Sequence, residues 1–282
     1  MATIEENLTR EFADALRAAR PEAKIDDLGY AGFADSLVEG IDADRVRRVF
    51  GTADSRGPGS RQPRLYAAHS GTMLLVNVFA PWLDDLASLE LLGLRGFGDL
   101  RFEVRLPSVA GEPAGWLPAL LIAPDGVVGI ESDCAGFLSG HPAKFAAALD
   151  RFWDDREENG WRREMRALQE GRHGYARLDA ARLIKQYMGL RLLLEAAAGS
   201  EARIAPATLL YLYWEPLNAA RFDECDEHHA EIAQFHDSVS DSDIDFAAMS
   251  YFDLWAEWAR GDAPSWLPLH LTRLHQRYSF RI

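Results

Sequence analysis

The stretch WLPALLIAPDGVVGIESD, residues 116–133, decides how the chain is read. WLPALLIA (116–123) and VVGIES (127–132) are apolar and strand-forming, and the Pro124-Asp125-Gly126 between them is turn chemistry. Together they predict a β-hairpin. With a tight turn at Asp125-Gly126, Pro124 pairs with Val127, Leu120 with Glu131 and Pro118 with Asp133. Side chains alternate along a strand and opposed residues share a face, so Glu131 and Asp133 lie together beside position 118. Two carboxylates closing an apolar strand either mark its exit into water or hold a hard divalent cation such as Mg²⁺, which takes carboxylate oxygens.

Working outward, RFEVRLP (101–107) alternates like a strand, and TMLLVNVF (72–79) is a buried strand or the start of a helix. Residues 4–20 predict an amphipathic helix with Ile4, Leu8, Phe12, Ala15 and Leu16 on one face; 42–50 predict a short helix capped by Asp42. Gly51 to Pro63 is a Gly/Pro/Ser-rich loop, and Pro81 opens a helix through Leu92. Downstream, helices are expected over 142–153, 161–171, 178–198, 226–238 and 250–259. ATLLYLYW (207–214) reads as a buried strand stopped by Pro216. This order is an α/β architecture with a mixed sheet flanked by helices. It divides into an N-terminal helical arm (1–64) and an α/β domain with a C-terminal helical tail (65–282), or forms one continuous domain.

The 282 residues carry 44 acids and 30 bases, a formal charge of −14. With 48% hydrophobic residues a core is well supplied and wholesale disorder is excluded. Cys134 and Cys225, the two cysteines, exclude a disulfide scaffold and a Cys-rich zinc module. The start is polar and acidic, unlike a signal peptide, and no run approaches the ~18 apolar residues of a membrane span. A cytoplasmic protein with no membrane partner is expected. The charge is uneven. Nine acids lie between Asp223 and Asp245, and no Lys or Arg occurs from Phe222 to Ala259. Arg45, Arg47, Arg48, Arg56, Arg61 and Arg64 face one acid, Asp54, and the span from Arg151 to Arg191 holds ten bases against seven acids. Such a pattern is either a solvated mixed surface or a basic groove beside an acidic flank. Lysines number three: Lys24, Lys144 and Lys185.

In order and spacing, several segments resemble the PD-(D/E)XK nuclease superfamily, the restriction-endonuclease-like fold, and a bacterial group of restriction endonucleases within it. These are FEVRLP (102–107), LLIAPDGVVGIES (120–132), LDAARLIKQYMGL (178–190), LLYLYWEP (209–216), and a tail with His229, Phe235, Ser250-Tyr251 and Leu254-Trp255. The resemblance implies a restriction-endonuclease-like mixed-sheet core and metal-dependent hydrolysis of nucleic-acid phosphodiesters. In the family, an Asp on the second strand and an acid on the third hold Mg²⁺, and a Lys two residues beyond orients or activates the attacking water. The metal polarises the phosphate and stabilises developing charge. Carried over, the third-strand acid is Glu131, the Lys position is Asp133, and the second-strand Asp position is Pro118. Two of the three members are missing.

Asp125 spells part of the motif but sits at the hairpin tip, roughly 20 Å along the strand from Glu131 at ~3.3 Å per residue. Three readings follow. The first is a degenerate homologue, weakly active or inactive. The second is an active Mg²⁺-dependent nuclease with relocated residues, metal on Glu131, Asp133 and Glu103, and Lys185 as the replacement catalytic cation. Glu103 is otherwise an ordinary charge on a solvent face or a partner of Arg105, and Lys185 an ordinary surface lysine. The third is a non-catalytic interaction module that turns the acidic 223–245 segment toward a basic partner. Nucleic acid, a protein partner or a second copy are the partners these readings name. His228, His229 and His236 match no short zinc spacing. Cys134 reads as packing rather than a nucleophile, and most tryptophans read as core.

Overall fold

The hairpin forms, but its turn falls one residue earlier than expected and the strand pairing shifts by two residues. In this computed structural model the described residues are 4–26, 29–50, 66–109, 115–154, 156–198, 205–261 and 263–282. The expected Gly51–Pro63 loop, with Arg56 and Arg61, lies outside them, as do Arg64 and the boundary between residues 64 and 65. The chain runs α1 (Ile4–Ala19), α2 (Phe33–Ser36), α3 (Ala43–Val49), α4 (Gly71–Phe79), β1 (Asp99–Arg105), β2 (Trp116–Ala123), β3 (Gly126–Asp133), α5 (Gly160–Gln169), α6 (Ala180–Ala198), β4 (Ala207–Tyr213), α7 (Asp223–Val239), β5 (Asp245–Ser250), α8 (Tyr251–Arg260) and α9 (Leu267–Tyr278). Single-turn 3₁₀ pieces at 80–84 and 86–88 replace the helix expected from Pro81 to Leu92, and 147–153 is 3₁₀ where a longer helix was expected over 142–153.

The strands form one sheet in the order β1-β2-β3-β4-β5, so this is a mixed α/β fold. β1, β2 and β3 are an antiparallel meander; β4 and β5 join parallel to β3. Parallel neighbours need long crossovers, which α5 and α6 supply between β3 and β4 and α7 between β4 and β5. Ala123 pairs with Gly126, placing the turn at Pro124-Asp125. Leu120 therefore faces Gly129, not Glu131, and continuing the ladder from Ala119–Ile130 sets Pro118 beside Glu131, not Asp133. Pro at the first turn position fits its fixed φ, whereas the expected register put Pro124 in the ladder, where it has no N–H to give.

Both faces of the sheet are covered. One core unites Val128 and Ile130 of β3 with Leu74, Val78, Leu254, Trp255 and Leu271 of α4, α8 and α9. The other unites Val127, Leu209 and Phe246 with Trp161, Ile184, Tyr187 and Phe235 of α5, α6 and α7. β3 is buried at seven of its eight positions, which explains why its sequence runs apolar instead of alternating. The 72–79 ambiguity resolves as helix: Ser70 caps it by accepting from the Met73 N–H, and all of 73–79 is buried. Helix α1 packs on α9, with Phe12 4.7 Å from the Trp214 ring and 4.8 Å from Phe280, so the N-terminal helix belongs to the first core.

The uneven charge has an internal explanation. Glu231 on α7 accepts from the backbone N–H groups of Ala176, Arg177 and Leu178 at 2.7, 2.8 and 2.8 Å, organising the turn that leads into α6. Glu227 pairs with Arg177, Asp241 with Arg163 and Asp243 with Arg191. Much of the acidic segment is thus spent on the Arg-rich 151–191 segment of the same chain. Replacing Glu231 by Ala strands three N–H groups and is expected to cost about 2 kcal/mol of unfolding free energy, read by urea denaturation. Glu231→Gln, keeping one acceptor oxygen, is expected to lose less.

Candidate functional site

The polar end of β3 faces three elements. Glu131, 3% exposed, points to α6, where Arg182 Nη2 lies 3.0 Å from its Oε1 and the Gln186 amide donates to its Oε2. Residues 182 and 186 are one helical turn apart and share a face, so one stripe of α6 serves one carboxylate. Gln186 also donates to the Trp116 carbonyl at 3.0 Å, tying the helix to the start of β2. Gly129 makes this approach feasible: a Cβ there would meet Leu117 at 2.9 Å and Leu190 at 3.1 Å.

Ser132 points the other way. Its hydroxyl donates to the Gly71 carbonyl at 2.6 Å and meets the Tyr251 hydroxyl at 2.5 Å. Gly71 opens α4 hard against the strand; a Cβ there would sit 2.3 Å from the Ser132 carbonyl oxygen. Asp133, half-buried, accepts from the Gly136 N–H at 2.6 Å and from the Tyr211 hydroxyl at 3.0 Å. The Tyr211 oxygen also contacts His228 Nε2 at 2.9 Å. Since Tyr211 gives its proton to Asp133, Nε2 of His228 is the donor to Tyr211. Burial pushes the His228 imidazole down to about 4, so the ring is neutral near pH 7 and its proton serves the network, not a charge. Phe137 stacks on it, ring centres 4.9 Å apart.

Glu103 departs from the solvent-face expectation. It is 7% exposed, accepts from the Thr72 hydroxyl at 3.2 Å, and has φ of +51°. Side-chain alternation inverts here: Phe102 and Ala119 enter the α4 core, while their neighbours two residues on, Val104 and Leu117, face α6. The left-handed backbone at Glu103 opposite Pro118, which lacks an N–H, lets the two strands change face together. Such a conformation strains a non-glycine residue.

The predicted residues therefore meet only in part. Glu131 and Asp133 share the α6 side, Pro118 and Glu131 each lie one residue beyond the last β2–β3 pair, Ala119–Ile130, and Thr72 holds Glu103. Lys185 is exposed and lies 5.5 Å from the Phe145 ring centre. Among the described residues no group of three or more His, Cys, Asp or Glu side chains converges to hold a metal ion. Each Glu131 oxygen has a partner, Arg182 on one and Gln186 on the other, and each Asp133 oxygen accepts one hydrogen bond, from Gly136 and from Tyr211. Asp125 is exposed at the hairpin tip, as expected. His229 pairs with Glu215 at 2.8 Å. Cys134 is buried, and burial pushes its thiol well above the ordinary range. Arg182 and Tyr211 are the partners that sequence reasoning missed, and His228, weighed there only against zinc spacing, serves Tyr211. The spacing of Arg182 and Gln186 on α6 carried a signal for the first; nothing local ties Tyr211 to His228.

These features define a mixed α/β protein with a polar, internally neutralised site at the C-terminal end of its central strand. No family model, curated protein or solved structure matches the chain. Among the described residues, no helix is long and apolar enough to cross a membrane.

Burial pushes the Glu131 carboxyl up to about 7; the Arg182 charge and the Gln186 hydrogen bond pull the other way, and Asp133 and Asp179 add to the rise. The folded state thus binds a proton that the unfolded chain, with an ordinary glutamate, releases near pH 4.5. Between those values folding takes up a proton, so this group makes stability fall as pH rises from about 4.5 to about 7. The fall is on the order of 3 kcal/mol. In Glu131→Gln this component is expected to vanish, which urea unfolding across pH 4 to 8 measures as a flatter profile than wild type.

Proposed function

We propose that the chain is a restriction-endonuclease-like protein whose metal site has given way to an internal ion pair, leaving little or no hydrolysis of nucleic-acid phosphodiesters. The supporting observation is the Arg182–Glu131 contact at 3.0 Å. It sets a fixed cation against the one acid of the motif that this sequence keeps. A guanidinium holds its charge at ordinary pH and cannot act as a base, so it neutralises the carboxylate without offering the water activation that the family's Lys supplies. The segments that carry the resemblance fall on β1, the β2–β3 hairpin, α6 and β4 of one sheet system, in that order.

The relocated-nuclease reading draws less support, because α6 turns Arg182 and Gln186, not Lys185, toward Glu131. The interaction-module reading is weakened by Glu227, Glu231, Asp241 and Asp243, which already serve groups of this chain.

The test is cleavage of single- and double-stranded DNA and RNA with Mg²⁺ or Mn²⁺. Wild type is expected to match Glu131→Ala, both at background; turnover that Glu131→Ala abolishes overturns the reading. Because the Ala119–Ile130 register, carried one residue on, would set Pro118 beside Glu131, Pro118→Asp with Arg182→Met is expected to create Mg²⁺ affinity measurable by calorimetry. A folded double variant without such affinity counts against the correspondence of Pro118 to the missing Asp.

A further inference from the structure

On the α6 side of the sheet, beside the Glu131 site, a cavity of about 460 Å³ opens between the end of β1, the start of β2 and the middle of α6. Its walls are largely apolar: Pro107, Val109, Leu149, Met188 and Leu192, with Phe145 at one side. A volume of a few hundred Å³ with apolar walls and a few polar groups is the ordinary form of a small-ligand site. The polar groups here include Lys144 and Lys185, two of the three lysines in the sequence. Both are exposed, and neither forms an ion pair with a described acid. Lys185 rests over the Phe145 ring, which orients its stem along the apolar wall and leaves the ammonium at the rim.

Among the described residues the lining contains no Asp or Glu, in a chain of formal charge −14. Three other cavities differ in this respect. Glu90 and Glu257 line one of about 770 Å³, Glu158, Glu195 and Asp243 are among six acids lining one of about 820 Å³, and Glu22 and Glu39 line one of about 530 Å³. The floor is tightly packed. Gly189 lets α6 close on the strand end, where a Cβ would meet Leu106 at 2.7 Å and the Pro107 carbonyl at 3.1 Å.

We propose that this cavity binds a small organic monoanion with an apolar body, a medium-chain carboxylate in class, its hydrocarbon against Leu149, Met188 and Leu192 and its charge between Lys144 and Lys185. Two rim cations that pair with no acid among the described residues select the sign of the head group, and the apolar walls select against a bare phosphate or a hydrated oligonucleotide backbone. The inference is independent of the nuclease-like reading, since it uses neither Glu131 nor a metal.

The experiment is isothermal titration calorimetry of the full chain with octanoate, octylammonium and 1-octanol, and with a ten-residue oligothymidylate as the phosphate control. Octanoate is expected to bind at one site, 1-octanol more weakly, and octylammonium and the oligonucleotide not at that site. Lys144→Glu with Lys185→Glu is expected to weaken octanoate binding at least tenfold. The variant's thermal midpoint is expected to stay close to wild type, both positions being exposed. A second variant, Met188→Glu, charges the wall and is expected to weaken octanoate as well. Octylammonium binding as tightly as octanoate, octanoate affinity unchanged in the double lysine variant, or oligonucleotide binding that the lysine variant abolishes while octanoate fails to bind, each overturns the proposal.

Discussion

A strand covered on both faces leaves little water for its polar groups, and the last three residues of β3 are polar. Buried polar and charged groups must be paired or the fold loses stability. Glu131, Ser132 and Asp133 meet this demand in three directions, with Arg182 and Gln186 of α6, with Gly71 and Tyr251, and with Gly136 and Tyr211. Each answer fixes an element: the pitch of α6 against the sheet, the approach of α4 to the strand, the turn after β3, and through Tyr211 and His228 the seat of α7. The same demand shapes the chemistry of the site. Arg182 and Gln186 hold the two Glu131 oxygens, and burial raises the carboxyl against their pull.

The charge distribution follows similar logic at larger scale. The acidic stretch after Phe222 and the Arg-rich stretch from 151 to 191 are far apart in sequence but lie together, α7 beside the turn into α6. Glu231 is the clearest case, its two oxygens taking three backbone N–H groups that would otherwise face an open turn. Net charge had suggested something about partners, whereas much of it describes how two halves of the crossover layer hold each other. The cavity lined by Lys144 and Lys185 stands out against this pattern because, among the described residues, no acid answers its cations.

Some elements were legible because local chemistry decided them. The hairpin, the amphipathic helix at 178–198 and the strand at 207–214 follow from turn residues, apolar period and a terminating Pro216. The register was not, because Pro124-Asp125-Gly126 allows turns at two positions and only the N–H that a turn-closing, hydrogen-bonded pair must give separates them. The helix at 72–79 was ambiguous, since a segment buried all round carries no periodic signal. β5, DFAAMS, went unrecognised because alanines and an exposed Asp245 give it no strand character; pairing with β4 makes it one.

The sequence by itself determined an α/β chain with a β-hairpin closing on Glu131 and Asp133, and with neither the Asp nor the Lys that a nuclease motif would set beside Glu131. Residue identity and short-range spacing are enough for that. The tertiary structure decided what Glu131 does. Fifty-odd residues separate it from Arg182, and only the folding of α6 onto the sheet, through the gap left by Gly129, brings the guanidinium to the carboxylate. Neutralisation of a buried charge depends on distance in space, and the sequence records distance only along the chain.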